Sequence, residues 1–94
     1  MFIVLLRFSD NKAKAGEHMA GHKAWIKRGF DDGVFLLTGS LQANQGGMVM
    51  AAGTSRADLQ KRVNDDPFVI EGVVSAEIIE AKPSSADPRL SFLV

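Results

Sequence analysis

The fold of this chain is decided by residues 34–52, which read VFLLTGSLQANQGGMVMAA. Two apolar runs, Val34 to Ser40 and Gly47 to Ala52, flank a loop that is rich in Asn, Gln and Gly. The second run alternates regularly, so that neighbouring side chains point to opposite faces as in a strand. Because the connecting loop is short and polar, we predict an antiparallel hairpin.

A helical pattern precedes this hairpin, and another follows it. Residues 13–31 show the spacing of a helix with one inner face. The inner positions, at steps of three or four, are Ala15, Met19, His22, Ile26 and Phe30. The opposite side carries Lys14, Glu17, Lys23 and Lys27. The second helix opens at Ser55, with Asp58 completing an approximate capping box.

The outermost runs, Phe2 to Phe8 and Val73 to Ala81, have the length and the β-branched content of strands. The order is therefore β-α-β-β-α-β. We predict an α+β fold of the ferredoxin-like type, with a four-stranded antiparallel sheet. Residues 1–82 form this domain, and residues 83–94 form a C-terminal tail.

The apolar content of the strands predicts a partner for the sheet. Two helices can cover only one face of a four-stranded sheet, yet the first three strands are apolar on both faces. A large exposed apolar face is rare in a soluble protein. We therefore predict a homodimer through sheet-on-sheet packing about a twofold axis, with the apolar end of the 83–94 tail docking at the dimer seam.

Composition narrows the classes of function. The 94 residues suffice for one domain, and the 11 basic and 11 acidic residues cancel. This balance gives no electrostatic reason to expect nucleic acid or an anionic membrane as a partner. There are no cysteines, so a thiolate nucleophile and a zinc–thiolate site are excluded. The apolar start is interrupted by Arg7 and lacks a basic region before it, so we expect no signal peptide and a cytoplasmic protein.

His22 is the strongest candidate for chemistry, since it is one of two histidines and lies on the inner face of the first helix. A histidine held against a carboxylate can move a proton near neutral pH. An acidic partner is available at Asp65 or Asp66, although Asp66 before Pro67 also has the pattern of a helix cap. His18 and His22 are four residues apart, but no third ligand stands at a telling spacing, so we predict no metal.

The chain resembles the YciI-like (YCII-related) family of small dimeric α+β barrel proteins over about residues 1–82. The resemblance is carried by several segments whose order and spacing agree. They are Met1 to Leu6, His22 to Ile26, Gly33 to Ser40, Gly46 to Val49, Asp65 to Val69 with Gly72, and Ala76 to Glu80. It implies a dimer with a pocket near the sheet, in which a helix histidine meets the aspartate before an Asp-Pro-aromatic turn. Those residues are His22 and Asp66.

Some members of this family resemble dehydrochlorinases that act on chlorinated hydroxylated rings, and relatives in the wider group include lactone isomerases. Many members have Gly-Pro after the second strand, whereas this chain has Gly39-Ser40. A serine can donate a hydrogen bond that a proline cannot, which changes the expected substrate range.

The leading hypothesis is a cofactor-independent enzyme for a small hydroxylated ring or lactone-like metabolite. His22 would act as acid and base, and Asp66 would orient it. We expect Arg7, Ser40 and Phe68 to contact the substrate. The alternative is a non-catalytic dimer that binds a small molecule or has a structural role, in which His22 is a hydrogen-bonded core residue and Asp66 is only a cap.

Overall fold

The computed structural model describes residues 1–94. The strands are β1 (Phe2–Phe8), β2 (Phe35–Leu41), β3 (Gly46–Ala51) and β4 (Val74–Glu80). The helices are α1 (Ala15–Asp31), α2 (Arg56–Asn64) and the short α3 (Pro67–Ile70). Turns of 3₁₀ helix precede α1 at Lys12–Lys14 and occupy the tail at Pro88–Leu93. None of the helices combines the length and the apolar character that crossing a membrane requires.

The four strands form one antiparallel sheet in the order β2-β3-β1-β4. Val4 of β1 lies opposite Val49 on one side and Ile78 on the other. The second and third strands are joined as the predicted hairpin, and β1 and β4 complete the sheet from the two ends of the chain. This is the strand order of the ferredoxin-like fold, so the predicted α+β architecture is confirmed.

The hydrophobic core lies between the sheet and its helices. Along β1, Phe2, Val4 and Leu6 are buried, and the residues between them are less so. Val49 and Ala51 extend this buried row onto β3. From the other side, α2 contributes Leu59 and Val63, which were expected on its inner face and are fully buried. Successive strand residues point to opposite faces, which explains why only every second residue enters the core.

Helix α1 comes closest to the sheet at residues beside the predicted inner face. Its buried residues are Trp25 and Gly29, whereas Met19 is 37% and Phe30 42% exposed. At Gly29 the helix backbone packs on the ring of Phe35, where an added Cβ would lie 2.0 Å from a ring carbon. Met19 and Phe30 still lie towards the sheet, since Met19 lines a cavity beneath α1 and the ring of Phe30 packs edge-on against Phe35 with centroids 6.2 Å apart, but neither is buried. The closest approach could not be predicted, because a glycine gives no hydrophobic signal in the sequence.

The second face of the sheet has no helix over it. Ile3 and Leu5 on the central strand are only partly buried, and on the edge strands Leu37 is 54% and Ile79 41% exposed. We call the surface formed by Ile3, Leu5, Leu37 and Ile79 the open face. In the tail, Leu90, Phe92 and Val94 are also exposed.

Candidate active site

A cavity of about 320 Å³ lies between α1 and the helix-covered face of the sheet. Helix α1 contributes one wall, strands β1 to β3 the floor, and Phe68 with Val74 one end. The lining is mostly apolar, and its polar side chains are few. The lining residues are Leu6, Phe8, Met19, His22, Lys23, Ile26, Thr38, Gly39, Ser40, Gly46, Gly47, Met48, Val49, Phe68 and Val74.

The room in this cavity depends on glycine. Gly47 faces the cavity beside Leu6 and Ser40 in the sheet register, and it leaves space where any other residue would place a side chain. Strand β3 begins at Gly46, which has a φ of 129°. It lies so close to β1 that an added Cβ would be 2.0 Å from the carbonyl oxygen of Leu6. The Gly-Gly pair therefore allows the strands to pair closely and leaves a hollow next to His22.

His22 and Asp66 meet in this cavity wall, although 44 residues separate them in the sequence. The Nδ1 atom of His22 lies 2.8 Å from Oδ1 of Asp66. The side chain of Asp66 is fully buried, and that of His22 is 14% exposed. Asp65, the competing partner, is exposed and makes no hydrogen bond to the ring. The structure thus brings together the two residues that the family resemblance paired.

Asp66 also caps α3. Its Oδ1 accepts a hydrogen bond from the backbone N–H of Phe68 at 3.0 Å, and Pro67 follows at the first helical position. A short polar side chain at this position satisfies a backbone donor that the helix itself leaves free. The cap fixes the carboxylate relative to α3, and α1 places His22 within hydrogen-bonding distance of it. The two roles considered for Asp66 therefore coexist in one geometry.

Two aromatic side chains hold the imidazole ring. Phe68 stacks on His22 with ring centroids 4.0 Å apart and planes inclined by 3°. On the helix, Trp25 lies 5.8 Å from the imidazole at 22°. The indole is itself fixed, because its Nε1 donates to the carbonyl oxygen of Arg62 at 2.8 Å. Packing and hydrogen bonding therefore restrict the ring to one orientation, as a catalytic group requires.

The hydrogen bond to Asp66 also determines which nitrogen of His22 is available. An ionised carboxylate only accepts hydrogen bonds, so Nδ1 of the ring must be the donor. In the neutral ring the lone pair is then on Nε2, and no protein group bonds to this atom. Since His22 lines the cavity, Nε2 is the ring atom suited to accept a proton from a ligand.

The second oxygen of Asp66, Oδ2, is buried without a hydrogen-bond partner. The ring of His22 and the backbone N–H of Phe68 both donate to Oδ1. A buried carboxylate is costly unless charge or hydrogen bonds compensate it. The ring of His22, 2.8 Å from Oδ1, and the N–H of Phe68 are therefore the groups that compensate this carboxylate.

The floor of the cavity supplies two hydroxyl groups. Ser40 and Thr38 both line it from β2, and neither side chain forms a hydrogen bond within the protein. Phe68 lines the same cavity besides stacking on His22. Of the three predicted substrate contacts, Ser40 and Phe68 thus lie at the cavity. Thr38 was not singled out in the sequence, although its position two residues before Ser40 on a strand places both on one face.

Arg7 lies elsewhere. It stands between Leu6 and Phe8, which face the cavity, so its own side chain points to the open face of the sheet. There its Nη1 forms an ion pair with Oε1 of Glu77 at 2.7 Å, and both side chains are about half exposed. Arg7 is therefore not placed to contact a ligand in this cavity as expected, because strand alternation turns its side chain to the other face.

Lys23 is the charged residue that the sequence pattern missed. It was assigned to the solvent side of the first helix and is indeed exposed, but it also lines the cavity together with Met19, His22 and Ile26. Those four residues have the spacing of a single helical face. His18 lies outside the cavity, with Nε2 3.8 Å from Oε2 of Glu17. No group of three or more His, Cys, Asp or Glu side chains is placed to hold a metal ion.

Together the fold and the cavity define a class: an α+β protein of ferredoxin-like strand order with a buried histidine–aspartate pair facing a small apolar pocket. The YCII-related domain family matches residues 1–82, and the chain belongs to this family. Among curated proteins no relative is found by sequence.

Among solved structures, the chain is similar to 5-chloro-2-hydroxyhydroquinone dehydrochlorinase (TftG) from Burkholderia phenoliruptrix AC1100, in its complex with 2,5-dihydroxybenzoquinone. The TM-score is 0.70, and the match covers 89% of this chain and 96% of the dehydrochlorinase. Sequence identity is 14%, so this likeness establishes the shared fold.

Proposed function

We propose that this protein is a cofactor-independent enzyme that moves a proton on a small hydroxylated ring or lactone-like metabolite. The observation that carries the proposal is the 2.8 Å hydrogen bond between His22 and the fully buried Asp66, in the wall of an otherwise apolar cavity. A titratable pair in a cleft is a reasonable catalytic candidate because catalysis needs a group that gains and loses a proton near neutral pH.

The reaction begins with Nε2 of His22, which takes a proton from an O–H or C–H bond of the substrate. In an elimination, the electron pair left behind forms a new double bond, and the leaving group departs with its own bonding pair. In an isomerisation, the imidazolium returns the same proton to another atom of the π system. Asp66 is not protonated in either case; it positions the ring and stabilises the imidazolium.

The cavity favours a single ring as substrate. Ligand pockets for drug-sized molecules begin at about 300 Å³, so a volume of about 320 Å³ suits a small molecule. Apolar walls accommodate a ring face, and the hydroxyls of Ser40 and Thr38 can bond to ring oxygens. The dehydrochlorinase of the same fold, whose complex holds 2,5-dihydroxybenzoquinone, supports a hydroxylated ring as the first class of compound to test.

A non-catalytic role remains the competing hypothesis, and one observation favours it. Asp66 caps α3 and also bonds to α1 through His22, so the pair fastens two helices whatever chemistry it performs. In that role the hydrogen bond stabilises the fold, and removal of the ring would leave both oxygens of Asp66 poorly compensated. The two hypotheses differ in what a shape-conserving substitution at His22 does.

The deciding experiment compares His22→Gln with His18→Gln, a matched variant at the other histidine of the same helix. Turnover is measured with 5-chloro-2-hydroxyhydroquinone and with small unsaturated lactones, and the free energy of unfolding is measured by urea denaturation. For His22→Gln we expect turnover to fall about 10²- to 10⁴-fold, the usual contribution of general acid–base catalysis. Stability should change by less than about 1 kcal/mol, since the amide can still donate to Asp66.

His18→Gln should retain both turnover and stability, because His18 lies outside the cavity. Asp66→Asn should lower turnover as well, since a neutral amide does not stabilise an imidazolium. Long-range ¹H–¹⁵N spectra report the tautomer of His22 in each protein. The catalytic proposal fails if His22→Gln turns over substrate like the unaltered protein. A destabilisation of about 3 kcal/mol without any turnover to lose would establish the structural role.

We also propose that the protein is a homodimer through its open face. The face is apolar on both central and edge strands, and a face of this kind is normally covered by a partner. A second copy is the partner that presents the same apolar surface by symmetry. The exposed Leu90, Phe92 and Val94 of the 83–94 tail would then pack at the seam between the two copies.

A further inference from the structure

Lys23 is the one lysine or arginine in the cavity wall. Among the lining residues there is no aspartate, glutamate or arginine, and His22 is the only other titratable side chain. Lys23 follows His22 directly on α1, one helical turn after Met19, and it is exposed to solvent. A ligand that enters this cavity therefore meets a single cation beside the histidine.

The ammonium group of Lys23 is not occupied by the protein. It forms no ion pair and no hydrogen bond in the structure, whereas Lys27, one turn further along α1, lies 2.7 Å from Oδ2 of Asp31. That carboxylate raises the pKa of Lys27. Lys23 has no such neighbour, so its charge and its three donors are available to a ligand.

The net charge of the groups in the cavity gives Lys23 a specific role. With neutral His22, the buried Asp66 leaves the histidine–aspartate pair with a net charge of −1, which repels an anion. Lys23 cancels this charge, and proton transfer to His22 makes the site positive. An anionic ligand in this cavity would therefore depend on Lys23 for a compensating charge.

We propose that the substrate binds as an anion and that Lys23 contacts its ionised oxygen, which makes Lys23 the residue that selects for charge. The inference rests on the proposed function, since it concerns the same cavity. Two chemical groups supply such an oxygen on a small ring: a carboxylate, or the oxygen of an ionised enol or phenol. Both offer an acceptor that a lysine recognises as a point charge.

The test uses isothermal titration calorimetry with two pairs of ring compounds that differ in charge. For the carboxylate the pair is 2,5-dihydroxybenzoate and the neutral 2,5-dihydroxybenzamide. For the enolate it is 2,5-dihydroxybenzoquinone, a vinylogous acid, and the neutral 2,5-dimethoxybenzoquinone. The proteins are the unaltered chain, Lys23→Gln, Lys23→Arg and Lys27→Gln. The last variant removes the same charge from the same helix outside the cavity.

We expect the unaltered protein to bind the anionic member of at least one pair about fivefold to tenfold more tightly, the range of a charge-assisted contact near a protein surface. Lys23→Gln should abolish this preference, Lys23→Arg should keep most of it, and Lys27→Gln should leave it unchanged. Added salt should weaken the preference, since the cavity opens to solvent. The pair that shows the preference identifies the source of the anionic oxygen.

Equal affinity for anionic and neutral members in the unaltered protein would overturn the inference, and so would an equal loss in Lys23→Gln and Lys27→Gln. If His22→Gln still abolishes turnover in that case, the proposed function stands and only the role of Lys23 falls. Absence of binding for all four compounds would also overturn the inference, while the proposed function is decided separately by the turnover of His22→Gln.

Discussion

The two faces of the sheet are built from the same strands and both carry apolar side chains, yet only one of them is buried within the chain. On the covered face Val4 and Ala51 are fully buried, and the cavity with His22 opens beside them. On the open face Leu37 and Ile79 keep 54% and 41% of their surface exposed. The difference is due to the helices, since all of them pack on one side. Sequence alternation thus gives two apolar faces, and chain connectivity decides which one becomes the core.

The two faces also differ in their polar side chains. The covered face contains the polar side chains that line the cavity: His22, Lys23, Thr38 and Ser40. The open face contains apolar side chains and the ion pair between Arg7 and Glu77. A substitution on one face should therefore alter stability or ligand binding, and the same substitution on the other should alter association. Neighbouring residues of β1 allow this division to be tested directly.

The largest effect is expected on the covered face, at Val4. Val4→Asp places a carboxylate at a fully buried position in the central strand, where no cation or donor can reach it. We expect a loss of about 4 kcal/mol or more, which is most of the stability of a domain of this size. Urea denaturation and circular dichroism would report it. A folded Val4→Asp protein of near-normal stability would show that Val4 does not belong to the core.

The same substitution one residue later should have a different consequence. Leu5→Asp lies on the open face, where a monomer can hydrate the new carboxylate. In the proposed dimer the charge would be trapped between two sheets, so we expect the dissociation constant to rise about 100-fold or more while the monomer stays folded. Sedimentation equilibrium measures the constant.

Ala57→Asp, on the exposed surface of α2, is the matched control for added charge and should leave association unchanged. Removal of residues 83–94 tests the tail in the same assay and should weaken the dimer less than Leu5→Asp does. A Leu5→Asp protein that associates as tightly as the unaltered chain would exclude the open face as the interface.

Much of the fold could be predicted from the sequence because strands and turns have local signals. The run Phe2–Phe8 and the cap formed by Ser55 with Asp58 are found where the sequence places them. The packing line of α1 could not be predicted, because it runs through Trp25 and Gly29. Hydrophobic periodicity counts a glycine as neutral and expects a phenylalanine to be buried, so it indicates neither the close approach at Gly29 nor the partial exposure of Phe30.

The candidate site was less accessible to sequence reasoning. The spacing of residues 15 to 30 indicates an inner face for His22, but nothing local connects it with Asp66, which lies 44 residues away. The pairing came from the family resemblance. Lys23 was missed because a lysine beside the inner face reads as solvent-exposed, and only the three-dimensional position of the cavity shows what it lines. For Arg7 the strand was right, and the missing information was the direction of its side chain.

The smallest effect is expected for Arg7→Gln, which tests whether the two faces are independent. The ion pair of Arg7 with Glu77 is half exposed on both sides, so solvent screens it and its loss should cost no more than about 0.5 kcal/mol in the free energy of unfolding. Affinity for 2,5-dihydroxybenzoate should stay within about twofold of the unaltered protein, because the guanidinium lies on the face opposite the cavity. Lys23→Gln, which removes a charge of the same sign from the covered face, is the internal reference. If Arg7→Gln weakened anion binding as much as Lys23→Gln, charge on the open face would reach the ligand. The cavity would then be incomplete in a single chain, and a second copy would have to supply part of it.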